Sequence, residues 1–449
     1  MLTLRRVIWI WFQKEKGRNN EKGAVVLRLF VAAIVLFEIW SGDAFAQGLH
    51  KPIPNYMFAH FEENAITFPS GDSTDFERFF LKLDTLLFFG EGDVNIVHIG
   101  GSHVQSGTFP NRMRRNLLAM RYGIEGGRGV VFPFSVAKSN TPSSYYSSYT
   151  GKWKAYRNSQ PKTPLRMGLT GMAASTSDPS ATVTIVSRER NPMGSPHDFS
   201  FDRVQVLGRS DNDSLVPVVR LDTLTLLPLS HDPDRDLYEF VLPYLTDSLV
   251  LGTSGVPGEW NLTGIVLDHS RPGLTYHGIG VNGASLNSYF KCEDFERDLA
   301  LLKPDLIIFA IGINDANTSN FNKELFISNY IKMVDMARRV APDCAIIFVT
   351  NNDSFRRSRR SYYLNQNGPV VQDAFYSLAH RYDAGVWDLF RIMGGLNSMK
   401  QWESAGLANR DKVHFTEKGY ILIGDLLYNA LLDRYLEHLK SNTSKNGTR

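Results

Sequence analysis

Residues 305–315 have the sequence DLIIFAIGIND, an unbroken apolar run that ends in a glycine and two polar side chains. A strand that is apolar on both faces is typical of the interior of a parallel sheet. Similar short runs lie at residues 94–99, 274–281, 345–350 and 386–387. The sequence therefore predicts a parallel sheet built from segments far apart in the chain.

Segments with helical periodicity separate these strands. Their apolar residues recur at intervals of three and four, as on one face of a helix. They lie at residues 75–89, 112–120, 294–302, 325–340, 370–382 and 420–440. Strands that alternate with helices predict an α/β fold in three α/β/α layers.

A segment of different character, residues 123–272, interrupts this alternation. It is rich in Ser, Thr, Pro, Gly and aromatic residues, and it contains short alternating runs such as 181–186 and 201–207. Short strands at this spacing favour a β-sandwich-like module. We therefore predict an α/β domain in two parts, residues 48–122 and 273–440, followed by a disordered tail at 441–449.

The N-terminal residues 1–46 have the features of a secretory signal. Arg28 precedes the apolar run 29–37, and the sequence SGDAFA at residues 41–46 resembles a cleavage site after Ala46. We expect a secreted, periplasmic or cell-envelope protein without stable membrane insertion after cleavage. An uncleaved membrane anchor is the alternative.

The composition restricts the function classes. The chain has 449 residues, 21% of them charged, and a net charge of +3, which gives no reason to expect a nucleic-acid partner. The densest basic patch, residues 356–360, indicates either a solvated loop or a contact with an anionic polymer. The two cysteines, Cys292 and Cys344, form no metal motif. We expect free, partly buried thiols, although a disulfide is open.

Ser102 follows the first predicted parallel strand in the sequence GGSH, residues 100–103. Ligands of such sheets bind beyond the carboxyl ends of strands. A serine at the following helix N-terminus would have backbone N–H groups and the helix dipole beside it. An ordinary turn is the alternative. His98 is expected in the core, and His103 either lines the pocket or packs at the helix start.

Three further segments carry candidate site residues. Asn314 follows the strand at 305–311, where its amide can donate to an oxyanion or cap a helix. The sequence GVNGA at 280–284 offers a glycine N–H or a simple turn. Asp411 precedes His414 by three residues, so that one turn can present a base and the carboxylate that orients it.

These four blocks together resemble the SGNH (GDSL-like) hydrolase family, which carries Ser, Gly, Asn and then Asp and His in that order. The resemblance implies a flavodoxin-like α/β domain. It also implies Ser102 as nucleophile, Asp411 and His414 as its triad partners, and oxyanion donors on Ser102, Gly283 and Asn314. Gly280 is the alternative glycine. Gly101 stands where the family's G-D-S motif has aspartate, which affects the expected loop geometry and substrate preference.

The inserted segment adds a narrower resemblance, to peptidoglycan O-acetylesterases with a carbohydrate-binding-like β-module between their first two blocks. An aromatic stretch beside Lys152 and Lys154 provides rings that could stack on sugars or pack the module core. It comprises Tyr145, Tyr146, Tyr149, Trp153 and Tyr156.

The resulting hypothesis is a serine esterase that removes small acyl groups, with acetyl expected, from peptidoglycan or other glycans through an acyl-enzyme. It needs no cofactor and no metal. A polysaccharide O-acetyltransferase and a lipid or aryl esterase are alternatives. A glycan-binding envelope protein without catalysis is an alternative of another class.

Overall fold

The structure, a computed structural model, describes residues 49–187, 199–359 and 361–447. The predicted signal segment, residues 1–46, lies outside the described residues. Within those ranges, no helix is both long enough and apolar enough to cross a membrane.

The strands are, in chain order, β1 (Ile66–Thr67), β2 (Val94–Gly100), β3 (Gly129–Val131), β4 (Tyr146–Thr150), β5 (Lys154–Arg157), β6 (Met172–Thr176), β7 (Thr182–Val186), β8 (Phe201–Ser210), β9 (Val216–Leu221), β10 (Leu224–Leu226), β11 (Ser230–Asp232), β12 (Leu237–Thr246), β13 (Ser248–Ser254), β14 (Trp260–Asp268), β15 (Leu274–Gly280), β16 (Leu306–Ala310), β17 (Ala345–Val349), β18 (Phe355–Ser358), β19 (Ser361–Leu364) and β20 (Gly385–Trp387).

The α-helices are α1 (Thr74–Asp84), α2 (Ser102–Gln105), α3 (Thr108–Leu118), α4 (Leu286–Tyr289), α5 (Phe295–Leu302), α6 (Ile313–Ala316), α7 (Lys323–Val340), α8 (Gly368–Tyr382), α9 (Leu389–Ile392), α10 (Met399–Ser404) and α11 (Glu417–Gly447). A 3-10 turn covers Phe61–Glu63, and a π-helical turn, Thr85–Phe89, continues α1.

The central sheet has the order β1-β20-β17-β16-β2-β15. From β20 to β15 all neighbours are parallel, whereas β1 pairs antiparallel with β20. Numbered along the chain, the parallel strands follow 2-1-3-4-5, the flavodoxin-like order. The predicted fold class is therefore confirmed. The strand order reverses beside β2, between β15 and β16, where ligands bind in such sheets.

Helices cover this sheet in two groups. In the first group α1 and α3 each contact α11, and in the second α5 and α8 each contact α7. The sheet between them is almost entirely apolar: Ile96, Ile307 and Phe348 are all fully buried. Apolar burial on both faces explains why these strands are unbroken hydrophobic runs rather than alternating ones.

Strands β3 to β14 form the inserted β module as two antiparallel sheets. One has the order β10-β9-β13-β7-β4, and the other β11-β12-β8-β14-β6-β5, with β3 paired to β14. Buried residues of both sheets, such as Val183 and Leu251 in one and Val206 and Phe240 in the other, belong to one hydrophobic cluster. The predicted β-sandwich-like insertion is thus confirmed as a separate β module.

An ion-pair network attaches the module to the α/β domain. Asp294, at the start of α5, is almost fully buried and accepts hydrogen bonds from Arg166 and Arg209 of the module. Asp298, one turn later, accepts from the backbone N–H of Leu169 and from Arg297. Breaking a buried pair of this kind is costly because it leaves an uncompensated charge. These contacts therefore attach the module to α5.

Two elements differ from the sequence-based expectations. Helix α11 continues to Gly447, so that the helix does not end at Lys440 and residues 441–447 are not the predicted disordered tail. No proline or glycine interrupts the sequence between Lys440 and Gly447, so nothing stops the helix earlier. The basic segment near Arg356 is not a plain loop but a hairpin, β18 and β19, with Arg356 opposite Tyr363.

Candidate active site

Ser102 lies at the carboxyl end of β2, as the first residue of the short helix α2. Gly100, two residues before the serine, allows the sheet and this helix to approach closely. A Cβ on Gly100 would lie 2.4 Å from Cγ2 of Val104 and 2.8 Å from the carbonyl oxygen of Ala310. A side chain there would push the serine away from the sheet edge.

One tight turn carries both Asp411 and His414. Oδ1 of Asp411 accepts hydrogen bonds from the backbone N–H groups of Val413 and His414, each at 3.0 Å. Lys412 between them adopts a left-handed backbone conformation with φ of 57°. Aspartate commonly closes turns through its own side chain. The carboxylate therefore builds the turn that presents the histidine.

The structure brings Ser102, His414 and Asp411 into one hydrogen-bonded chain. Oγ of Ser102 lies 2.7 Å from Nε2 of His414, although the two residues are 312 positions apart. Nδ1 of the same imidazole lies 2.8 Å from Oδ2 of Asp411. Both partners stay accessible, since the side chains of His414 and Asp411 are 37% and 47% exposed.

Electrostatics fix the direction of these hydrogen bonds. Partial burial opposes ionisation of Asp411, but the hydrogen bonds from the His414 side chain and from two backbone N–H groups outweigh it and lower the pKa to about 2. An ionised carboxylate can only accept, so Nδ1 of His414 donates to it. Nε2 is then the acceptor for the hydroxyl proton of Ser102. A serine, a base and an orienting carboxylate in this order can generate a nucleophile.

Three candidate N–H donors lie at the end of the sheet that carries Ser102. The N–H groups of Ser102 and Gly283 have no hydrogen-bond partner among the described residues. Asn314 is the second residue of α6, and its Nδ2 donates to the carbonyl of Ala284 at 2.8 Å and lies 3.5 Å from where a Cβ of Gly101 would be. One N–H of the Asn314 amide remains for a ligand. Such donors can hold a developing oxyanion.

The two candidate glycines lie in different environments. Gly283 is exposed in the loop after β15 with φ of +77°. Gly280 ends β15 in register with Gly100, and a Cβ on it would lie within 2.6 Å of the Gly101 carbonyl oxygen. Gly280 is therefore a close-packing residue, and the geometry favours Gly283 as the donor.

Asp315, next to Asn314, connects the segment after β16 to the segment after β15 by a hydrogen bond. Its carboxylate accepts a hydrogen bond from the backbone N–H of Leu286 at the start of α4. Burial raises the pKa of Asp315 to about 6, against the opposing effect of the backbone hydrogen bonds. The contact sets the loop 281–284 relative to Asn314, and sequence reasoning assigned no role to Asp315.

Gln105 is a second residue that the sequence reasoning missed. Its Oε1 accepts from the N–H of Asn282, next to Gly283, and its Nε2 donates to Oγ of Ser139 and the carbonyl of Asn140. Gln105 thus links the serine helix to the glycine loop and to the start of the β module. A buried glutamine three residues after the serine gave no sequence signal, because its partners are distant in the chain.

The two histidines near the serine have packing roles. His98 is fully buried in β2, and its Nδ1 lies 2.9 Å from the Tyr276 hydroxyl. His103 contacts the rings of His414 and Tyr420, and its Nδ1 lies 2.8 Å from the Tyr420 hydroxyl. Burial lowers the pKa of both imidazoles to about 3, and the charge of His414 contributes at His103. Both rings are therefore neutral and support the site sterically.

The two cysteines, the possible metal ligands and the aromatic stretch can each be located in the structure. Cys292 and Cys344 are buried and unpaired, and burial raises the pKa of each thiol to about 12. In the part of the chain that the structure describes, no cluster of three or more His, Cys, Asp or Glu side chains could hold a metal ion.

Of the aromatic stretch, Tyr145 is buried and hydrogen-bonded to the Phe132 backbone, whereas Tyr149 is 38% exposed. Trp153 and Tyr156 pack partly against the core.

Two comparisons with known proteins gave matches to this chain. Residues 247–422 match the model of the GDSL-like lipase/acylhydrolase family. A solved peptidoglycan O-acetylesterase shares the fold at a TM-score of 0.67 and 21% identity, over 82% of this chain and 99% of that one.

Two further solved structures match less of the chain. An acetyl xylan esterase, AlAXEase, matches at a TM-score of 0.29 and 17% identity, over 35% of this chain and 80% of that one. A family two carbohydrate esterase from Cellvibrio japonicus matches at a TM-score of 0.24 and 13% identity, over 65% and 99%. A sequence search of curated proteins gave no match.

Proposed function

We propose that the chain is a serine esterase of the GDSL-like lipase/acylhydrolase family, whose model its residues 247–422 match, and that it removes O-acetyl groups from peptidoglycan. The observation that carries this proposal is the hydrogen-bonded chain from Ser102 through His414 to Asp411. Ser102 is the nucleophile, His414 the general base and Asp411 the group that orients it. The protein acts in the cell envelope, to which the signal-like residues 28–46 would direct it.

The reaction proceeds in two steps. Nε2 of His414 takes the proton of the Ser102 hydroxyl as Oγ attacks the ester carbonyl. The N–H groups of Ser102 and Gly283 and the Asn314 amide stabilise the oxyanion. Protonated His414 then gives its proton to the departing sugar oxygen, which leaves as a hydroxyl group. The acetyl group stays on Ser102 as an acetyl-serine. Water, activated by the same imidazole, releases acetate and restores Ser102.

Two observations support a glycan ester as the substrate. The solved peptidoglycan O-acetylesterase shares the fold over 82% of the chain, which includes the β module as well as the α/β domain. The side chains of His414 and Asp411 are also partly open to solvent. An open site admits an ester that projects from a long polymer.

Acetate release tests the proposed substrate. The native protein should release acetate from O-acetylated peptidoglycan faster than from acetyl-xylan, and Ser102→Ala should release it at least about 10⁴-fold more slowly than the native protein. Adding a de-acetylated acceptor glycan and following its acetylation by mass spectrometry separates hydrolysis from transfer. Acetyl transfer in preference to acetate release, or equal release by native protein and Ser102→Ala, would contradict the proposal.

Asn314→Ala should lower kcat for an aryl acetate by about 10²- to 10³-fold, because it removes an oxyanion donor. The KM should change little, since the donor acts on charge that develops in the transition state. The nearby Asn320→Ala, which removes an exposed amide beyond α6, is the matched control. A kcat within threefold of native for Asn314→Ala would exclude Asn314 from the oxyanion site.

A further inference from the structure

A basic hairpin, which comprises β18, β19 and their turn, stands beside the catalytic turn and has no place in the mechanism above. It carries Arg356, Arg357 and Arg359, and the sequence contains no Asp or Glu from Ser354 to Gln372. Arg357 and Arg359 are exposed. Within the described ranges, no carboxylate lies at ion-pair distance from any of these three guanidinium groups.

The hairpin is attached to the turn that carries the triad. Phe355, its first residue, is buried, and its N–H donates to the carbonyl of Lys412 at 3.0 Å. Nδ2 of the preceding Asn352 donates to the carbonyl of Val413 at 3.0 Å. Lys412 and Val413 are the two residues between Asp411 and His414. The hairpin therefore has a fixed position at the rim of the active site.

Arginine and tyrosine side chains lie opposite one another across the two strands of the hairpin. Tyr362 lies opposite Arg357 in the strand register, and Nζ of Lys412 lies 4.9 Å from the centre of the Tyr362 ring. Tyr363 is 57% exposed and lies opposite Arg356. Tyrosine offers an apolar face with a polar tip, and an arginine fork binds a carboxylate with two parallel hydrogen bonds. Successive pairs of a hairpin project from opposite faces, and the face that carries Arg357 and Tyr362 is suited to a polymer with both sugar rings and carboxylates.

We propose that the basic hairpin binds the carboxylates of the peptides attached to the glycan strand, next to the acetylated sugar in the active site. The inference rests on the proposed function, and it adds that the enzyme recognises a peptide-bearing strand rather than the glycan alone. A small ester needs only the triad and the oxyanion donors. The Arg357 guanidinium donates to the Arg359 carbonyl, but none of these arginines pairs with a carboxylate of the described residues, so their charges are available to a more distant, negatively charged part of the substrate.

The test compares two forms of one substrate: O-acetylated glycan strands with their peptides, and the same strands after an amidase has removed the peptides. The readout is the ratio of kcat/KM for the two forms, from acetate release. For the double variant Arg357→Gln and Arg359→Gln we expect a ratio about tenfold or more below the native one, because the variant loses the charge-assisted hydrogen bonds to the peptide carboxylates and tenfold corresponds to only about 1.4 kcal/mol. Added salt should lower the native ratio as well, because exposed charges are screened.

A matched control removes two exposed charges elsewhere. Lys332→Gln with Arg381→Gln changes one side chain on α7 and one at the far end of α8, about 20 Å of helix from Gly368 where α8 begins, and should keep the native ratio. An unchanged ratio in the hairpin variant would overturn the proposal, as would an equal loss on both strands, which would indicate a damaged catalytic turn. Should the double variant misfold, Arg359→Gln alone is measured in the same way. Failure of native protein to release acetate from either strand would instead overturn the proposed function.

Discussion

Replacing Ser102 by alanine is expected to lower kcat for an aryl acetate by about 10⁴- to 10⁶-fold, while the KM and the fold are kept. Alanine removes only the Oγ atom, which lies 2.7 Å from Nε2 of His414. Without that atom no acyl-enzyme can form. The residual rate would come from the oxyanion donors acting on a water molecule.

Covalent labelling provides the second measurement on the same variant. A fluorophosphonate probe should label native protein at Ser102 and leave Ser102→Ala unlabelled, as read by peptide mass spectrometry. Ser106→Ala is the matched control, because Ser106 lies one turn further along and its hydroxyl donates to the His103 carbonyl. Labelling of Ser102→Ala at another serine, or a loss of rate below tenfold, would show that the nucleophile lies elsewhere.

The sheet could be predicted because its signal is local. Each parallel strand, such as 305–311, is an apolar run bounded by glycine or a polar residue, and burial on both faces leaves this pattern in the sequence. Strand β1 could not be found in the same way. It is only two residues long, Ile66–Thr67, and it exists because it pairs with Val386 and Trp387 at the sheet edge. Strand β1 therefore depends on pairing with a strand more than 300 residues away in the chain, and not on a pattern in its own sequence.

The residues of the candidate site also divide into those with a local sequence signal and those without one. Ser102, Asn314 and His414 each follow a strand or a turn with a recognisable sequence, so their meeting at one end of the sheet followed from the topology. Gln105 and Asp315 left no such signal, since each acts by holding a loop that only the folded chain brings near. The basic hairpin was visible as charge, but its place beside Lys412 depends on a backbone hydrogen bond that no pattern encodes.

Asp411→Asn is expected to reduce kcat by about 10⁴-fold with little loss of stability. The asparagine Oδ1 can still accept from the N–H groups of Val413 and His414, so the turn should be kept. Its amide, however, would donate to Nδ1 of His414. The imidazole would then carry its proton on Nε2, the atom that must accept the proton of Ser102.

Comparison with Asp411→Ala separates orientation of the histidine from construction of the turn. Alanine loses the bond to Nδ1 and both backbone bonds, so it should lower kcat at least as far as asparagine and also lower the melting temperature, by several degrees for each kcal/mol lost. Asp373→Asn, at an exposed carboxylate paired with Lys323, controls for the loss of one negative charge. Native-like kcat in Asp411→Asn would mean that another group orients the base. An equal fall in melting temperature for both Asp411 variants would mean that the charge of the carboxylate, rather than its two backbone bonds, holds the turn.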